Sequence, residues 1–124
     1  MKANIIRQHP ETEFYTDERC HITELSNTAD DPDVSIAQAR VSPGITTRWH
    51  RLKDTVERYY IMSGEGIMEL DGLEQQAVRA GDIVIIPPNC RQRISNNSDR
   101  ELLFLAICSP RFCQKNYADA EEDQ

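Results

Sequence analysis

The sequence predicts an all-β fold, an antiparallel sandwich or barrel, on two observations. Apolar residues arrive in short bursts with period-two character, each of about 4 to 8 residues, the length of a strand. Clusters of turn formers separate the bursts at intervals of about 8 to 12 residues, the rhythm of sandwiches and barrels. Helices are expected only as short pieces near the ends.

Taken in order, residues 1–18 are mixed and read as a leading strand plus a short turn. "CHITEL" (20–25) and "VSIAQARV" (34–41) follow, separated by "SNTADDPD". "SPG" leads into "ITTRWH" (45–50), and "LKDT" into "ERYYIM" (57–62). "SGEG" connects that strand to "GIMEL" (66–70), after which "DG" marks a turn. "RAGD" opens "DIVIIP" (82–87), a strand of buried character, and "PPN" stops it before "RQRIS" (91–95). "SNNSD" leads to "ELLFLAIC" (101–108), whose apolar run is long enough to be buried on both sides. Alternation there sets Phe104, Ala106 and Cys108 on one face and Leu103, Leu105 and Ile107 on the other.

With 124 residues and 14.2 kDa the chain holds one domain's worth of core, read as residues 1–115, followed by an acidic tail over 116–124. The net charge is −7, and Asp119, Glu121, Glu122 and Asp123 account for enough of it to leave the body near −3. That balance opposes nucleic-acid binding, which runs on clustered Lys and Arg. No apolar run approaches the ~20 residues of a membrane helix. The start, "MKANIIRQHPETEF", lacks the apolar core of a signal peptide, so a soluble, cytoplasmic protein is expected. Cys20, Cys90, Cys108 and Cys113 form no C-x-x-C pair and read first as small buried hydrophobes, with a disulfide or a reactive thiol as the alternative.

His50 and Glu57 are the first candidates for chemistry. On one uninterrupted strand their odd separation would set them on opposite faces. Lys53, Asp54 and Thr55 are turn formers, however, and the two glycines of "SGEG" would spoil a helix. Two strands joined by a turn are therefore expected, able to aim both side chains into one cavity. Arg48, His50 and Leu52 share a face of the first strand, and Glu57, Tyr59 and Ile61 share one of the second. By the same parity Arg91 and Arg93 oppose Gln92, and Arg58 opposes Glu57. Arg48 is left as the candidate to grip a substrate carboxylate or phosphate, with a salt bridge at the barrel mouth as its other reading. Tyr59 is a candidate hydrogen-bond donor or acid, or else a packed tyrosine with a satisfied hydroxyl. His9 reads as surface, and His21 as surface or an extra cavity wall.

The spacings resemble those of the cupin superfamily, small antiparallel barrels built on two motifs. The first is Gly, five residues, His-x-His, three or four residues, Glu, six residues, Gly. Gly44, His50, Leu52, Glu57 and Gly64 keep its spacing. The second is Gly, five residues, Pro-x-Gly, two residues, His, three residues, Asn. Gly81, Pro87, Asn89, Gln92 and Asn96 keep that one. Together the motifs cover residues 44–96, at 44–64 and 81–96.

The resemblance implies a cupin-like barrel or jelly roll, and in that family the two histidines and the Glu of the first motif, with the His of the second, usually bind one divalent metal. Here Leu52 and Gln92 replace two of the histidines, and Asn89 replaces a glycine, a mild change because Asn tolerates positive φ. The implied ligand set is His50, Glu57 and, through its amide oxygen, Gln92; Gln92 as a hydrogen-bonding wall residue is the other reading. Such an N,O,O set suits Fe²⁺, Mn²⁺, Ni²⁺ or Zn²⁺. The implied function is binding of, or action on, a small polar or anionic metabolite by isomerase, dehydratase, lyase or dioxygenase chemistry, with Arg48, Tyr59 and Gln92 at the substrate and Arg48 and Tyr59 as catalytic candidates. The alternative is a metal-free binding or sensing module. Cupins commonly pair through their sheets, so a homodimer is expected, with one face of the 101–108 strand filling the barrel and the other available as a seam.

Overall fold

The computed structural model describes residues 1–122. Its strands are β1 (Phe14–Tyr15), β2 (His21–Ser26), β3 (Ser35–Val41), β4 (His50–Leu52), β5 (Val56–Ser63), β6 (Glu65–Leu70), β7 (Leu73–Arg79), β8 (Ile83–Ile86), β9 (Gln92–Ser95), β10 (Leu102–Ser109) and β11 (Tyr117–Asp119). They form two antiparallel sheets, one in the order β1-β2-β3-β10-β5-β8 and the other in the order β11-β4-β9-β6-β7. Two single turns of 3-10 helix, Pro10–Thr12 and Gln114–Asn116, lie near the ends, where helices were expected.

The core follows the alternation. Val41, Tyr59, Ile61, Ile86, Leu102 and Phe104 point inward from the first sheet and meet Met68, Val78 and Ile94 from the second. Ile61 and Leu102 keep no exposed surface, which at about 25 cal/mol per Å² is worth roughly 2–3 kcal/mol for each side chain. Along β10, Phe104 and Cys108 are buried, whereas Leu103, Leu105 and Ile107 lie half-buried on the outside.

Four local differences from the sequence reading have clear causes. Strand β7, "LEQQAVR", was not anticipated: it is an edge strand with only Val78 buried, so almost none of its side chains carry a hydrophobic pattern. In β8, expected to be buried, Val84 and Ile86 face the core while Ile83 and Ile85 are 59% and 66% exposed, because β8 is the free edge of the first sheet. "ITTRWH" contributes only an isolated bridge, Thr46 with Ser95, before β4 begins at His50. Residues 1–9 hold no regular structure, and the leading strand is reduced to Phe14–Tyr15.

The segment 116–124 departs most from expectation. Its composition reads as a solvated tail, yet Tyr117, Ala118 and Asp119 pair with Leu52, Arg51 and His50 of β4. Ala120 is buried and donates its N–H to the Trp49 carbonyl, and the Glu121 carboxylate accepts the Trp49 N–H at 2.7 Å. Asp119 and Glu121 are spent on specific partners, Arg48 for the first and the Trp49 N–H and Arg19 for the second, which composition does not reveal. Asp123 and Gln124 lie outside the described residues.

Candidate functional site

The turn expected at Lys53–Thr55 is present, with Asp54 at φ +55 and the Thr55 hydroxyl on the Lys53 carbonyl, and it folds β4 against β5 so that His50 and Glu57 reach one cavity. His50 lies opposite Gln92 on β9 and Asp119 on β11, and Glu57 lies opposite Cys108 on β10. Thr47, Leu52, Tyr59 and Phe104 form further walls.

Sequence reasoning missed Glu18 and Tyr117, and with them the walls Thr47 and Phe112. Glu18 arrives on a turn in which Arg19 takes the left-handed conformation, φ +72, a strained choice for a residue with a long side chain. Thr16 and Cys20 close that turn, Arg19 donates to the Thr46 carbonyl, and the Glu18 carbonyl accepts the Arg48 N–H. The turn is thereby clamped to the chain just before His50. No spacing or alternation in the sequence signals it.

The imidazole of His50 is 3% exposed and fixed at both nitrogens. Nδ1 lies 2.9 Å from the Arg48 carbonyl, which only accepts, so Nδ1 carries a proton. Nε2 is then the atom that gains or loses one, and it lies 3.3 Å from the Glu18 carboxylate. The Tyr117 ring stacks on the imidazole at 5.3 Å between centroids.

Opposite, Glu57 is 8% exposed and accepts a 2.9 Å bond from the Gln92 amide nitrogen, with the Cys108 thiol at 3.7 Å. The Gln92 amide oxygen in turn accepts the Tyr59 hydroxyl at 2.8 Å. Burial raises the Glu57 carboxyl above its ordinary value, against the opposing pull of His50 and the Gln92 bond. Burial, and then the Glu57 and Glu18 charges, raise the Tyr59 phenol well above its usual range. Burial pushes the Cys20 thiol up to about 12, helped by Glu18, and raises Cys108 with Glu57 adding to it, so neither is a nucleophile at neutral pH.

A raised carboxyl is a stability statement. The unfolded Glu57 ionises at its ordinary value and the folded one only at higher pH, so the fold loses stability as pH rises through that window and carries the full cost above it. Glu57→Gln is therefore expected to melt higher than the parent at pH 8, by roughly 4 °C for each kcal/mol recovered. The gap should close by pH 4; paired melting curves across that range check it, and a gap independent of pH would contradict it.

The remaining sequence candidates divide. Tyr59 is in the cavity wall, whereas Gln92 is fully buried and does not line the cavity, its amide bonded to the Tyr59 hydroxyl and the Glu57 carboxylate. Arg48 is not: "TTRW" does not continue β4, so parity fails there and Thr47 faces inward instead. The Arg48 guanidinium holds Asp119 at 3.0 Å, the salt bridge at the mouth. His9 is exposed beside Glu11, and His21 packs edge-on against Tyr15, outside the cavity. Asn89 does adopt positive φ, +64.

The donors as arranged do not fit a divalent metal. Leu52 offers hydrocarbon, the Gln92 oxygen is taken by a hydroxyl, and its NH₂ end points at Glu57, an orientation a cation would repel. Among the described residues no three His, Cys, Asp or Glu side chains are grouped to hold an ion.

The two antiparallel sheets of the barrel agree with comparison to known proteins. The cupin domain family model matches residues 37–108, more than half of the chain. This chain is a cupin. An uncharacterized protein of Methanocaldococcus jannaschii is 34% identical to this cupin over 82 residues, 66% of this chain and 65% of that one. An oxalate-binding protein of Thermotoga maritima is 30% identical over 71 residues, 57% of this chain and 58% of that one. The matched stretches thus span less than two thirds of either relative. The barrel also superposes on Pac13, a nucleoside dehydratase, with a TM-score of 0.77 at 18% identity, covering 95% of this chain and 92% of that one; Streptomyces Pac13 variants have been solved with uridine. At that identity the fold is what is shared. No helix among the described residues is long and apolar enough to cross a membrane.

Proposed function

We propose that this cupin binds a small polar metabolite in the barrel and moves a proton on it, with His50 as the acid–base group and Glu18 as the carboxylate that holds the imidazolium. The fixed imidazole carries this reading: Nδ1 is committed to the Arg48 carbonyl, so Nε2 is presented to the cavity beside a carboxylate. A histidine held so takes a proton from carbon next to a carbonyl and returns it to a neighbouring atom or to a departing hydroxyl. That is isomerase or dehydratase chemistry. Tyr59 and Gln92 serve it by orienting Glu57, and Arg48 by fastening β11 across the mouth. A nucleoside dehydratase on the same barrel and a relative named for oxalate binding support a small polar ligand.

The test works with the substrate still unidentified. Polar metabolites that raise the melting temperature are incubated with the protein in D₂O, and NMR follows exchange at carbon-bound hydrogens. Wild type is expected to catalyse exchange on at least one binder, and His50→Gln and Glu18→Gln to slow it by about 10²–10⁴-fold while melting normally. Binders without any exchange would replace this reading with the non-catalytic module. Metal content is measured on the same untagged protein: a transition metal near one per chain, lost in His50→Ala, would restore His50, Glu57 and Gln92 as ligands. A second copy of the chain is the partner supported by the outer face of β5 and β8, where Tyr60, Met62, Ile83 and Ile85 are exposed together.

A further inference from the structure

The cavity's charge is unbalanced. Two carboxylates, Glu18 and Glu57, face it, and among the described residues no lysine or arginine lines it. The arginines on the flanking segments are engaged elsewhere: Arg48 on Asp119, Arg19 on the Thr46 carbonyl and Glu121, Arg58 on the Ser109 hydroxyl. Of the described lining residues His50 is the one that can become positive, and its Nε2 lies against Glu18. Glu57 is left more than nine-tenths buried with a neutral amide and a thiol as its hydrogen-bond donors, a charge without a neighbouring guanidinium or ammonium among the described residues of the wall.

The remaining walls are aromatic: Tyr59, Phe104, Phe112 and Tyr117. Ring faces are electronegative and attract cations as carboxylates do, without demanding a hydrogen bond. The open volume is about 40 Å³, room for a few waters or for one compact head group and too small for a whole metabolite.

We infer that this cavity selects a ligand whose inserted end is an ammonium, seated by Glu57 among the aromatic walls, rather than a carboxylate or phosphate. The ligand then supplies the missing cation, and Glu18 stays free to support His50. Burial first, and then the Glu57 and Glu18 charges, raise the Tyr59 phenol and the Cys20 thiol, and burial followed by Glu18 raises the Tyr117 phenol. An anion entering here would meet two carboxylates with only His50 to compensate. This inference rests on the barrel cavity being the ligand site and names the ligand's charge class.

Three probes of matched size separate the possibilities at neutral pH: ethanolamine (a cation), ethylene glycol (neutral) and glycolate (an anion). Binding is followed by protein NMR shifts at His50 and Tyr117. Ethanolamine is expected to bind about tenfold or more tightly than either of the others, the scale of a partly desolvated cation–π contact plus a charge pair. That preference should weaken with added salt, persist in EDTA and vanish in Glu57→Gln, a variant expected to melt at least as high as the parent, while Glu18→Gln, which keeps the seating carboxylate, retains a preference for ethanolamine. Equal or tighter binding of glycolate overturns the inference, as does ethylene glycol matching ethanolamine, or loss of ethanolamine binding on chelation. The outcome separates from that of the proton-transfer reading. His50→Gln that still prefers ethanolamine, in a protein catalysing no exchange, leaves the charge class standing and removes the catalysis; exchange on neutral ligands alone does the reverse.

Discussion

Gly64→Ala is expected to cost about 3–4 kcal/mol, enough to leave a marginal fold largely unfolded at 37 °C. Gly64 turns the chain between β5 and β6 at φ +85, where an L side chain costs roughly 1–2 kcal/mol by itself. A Cβ built there lies 2.5 Å from the Glu101 carbonyl oxygen and 3.1 Å from the Leu102 Cα. Both are backbone atoms at the entry to β10, the central strand that pairs with β3 and β5, so neither can swing aside as a side chain would. Displacing that strand adds about 1–3 kcal/mol of packing strain. Gly72→Ala is the control: φ is +80, nothing lies within 4 Å of the added carbon, and a loss of only about 1 kcal/mol is expected. Urea midpoints of the two variants test the difference, and similar losses would show that the Glu101 contact carries no weight.

Ending the chain at Asn116 is expected to cost roughly 3 kcal/mol. The cut removes the β11 ladder on β4, the Tyr117 ring from His50, the buried Ala120 and the carboxylate on the Trp49 N–H. The loss should be local in character. Amide exchange is expected to accelerate at Trp49 and Arg51, while β5 and β10 keep their protection at temperatures where the shortened chain still folds. Uniform acceleration throughout, or none, would contradict the role of β11 as a strap over the site.

Most of the barrel was legible because its strands are amphipathic and its turns are spelled in Gly, Pro, Asn and Asp. Position after position of β5 and β10 alternates as read, and the Lys53–Thr55 turn is where its residues put it. The failures share a cause: they concern elements specified by partners instead of by pattern. Strand β7 lies at an edge and carries polar side chains on both faces. The 117–119 strand is held by three register pairs and by acid–base contacts that composition averages away. His50, Glu57 and Tyr59 reach one cavity because they sit on regular strands with parity, Gln92 is bonded to two of them from outside its lining, and Arg48 went astray because its segment leaves the strand geometry. Glu18 was invisible for the opposite reason. It is delivered by a left-handed Arg19 in a loop, and a single non-glycine residue at positive φ leaves little trace in a sequence.

Trp49 adjoins His50 and is the chain's sole tryptophan. Its indole carries the guanidinium groups of Arg91 and Arg93 at 4.0 and 4.5 Å from the ring centre. Its N–H and carbonyl are tied to Glu121 and Ala120 beyond β11. The molecule thus contains one indole fluorophore, placed where the strap, the imidazole and two charged planes converge. A ligand that displaces the imidazole and the Tyr117 ring stacked on it is therefore expected to change the emission colour and lifetime of Trp49 in the unlabelled, unmodified protein.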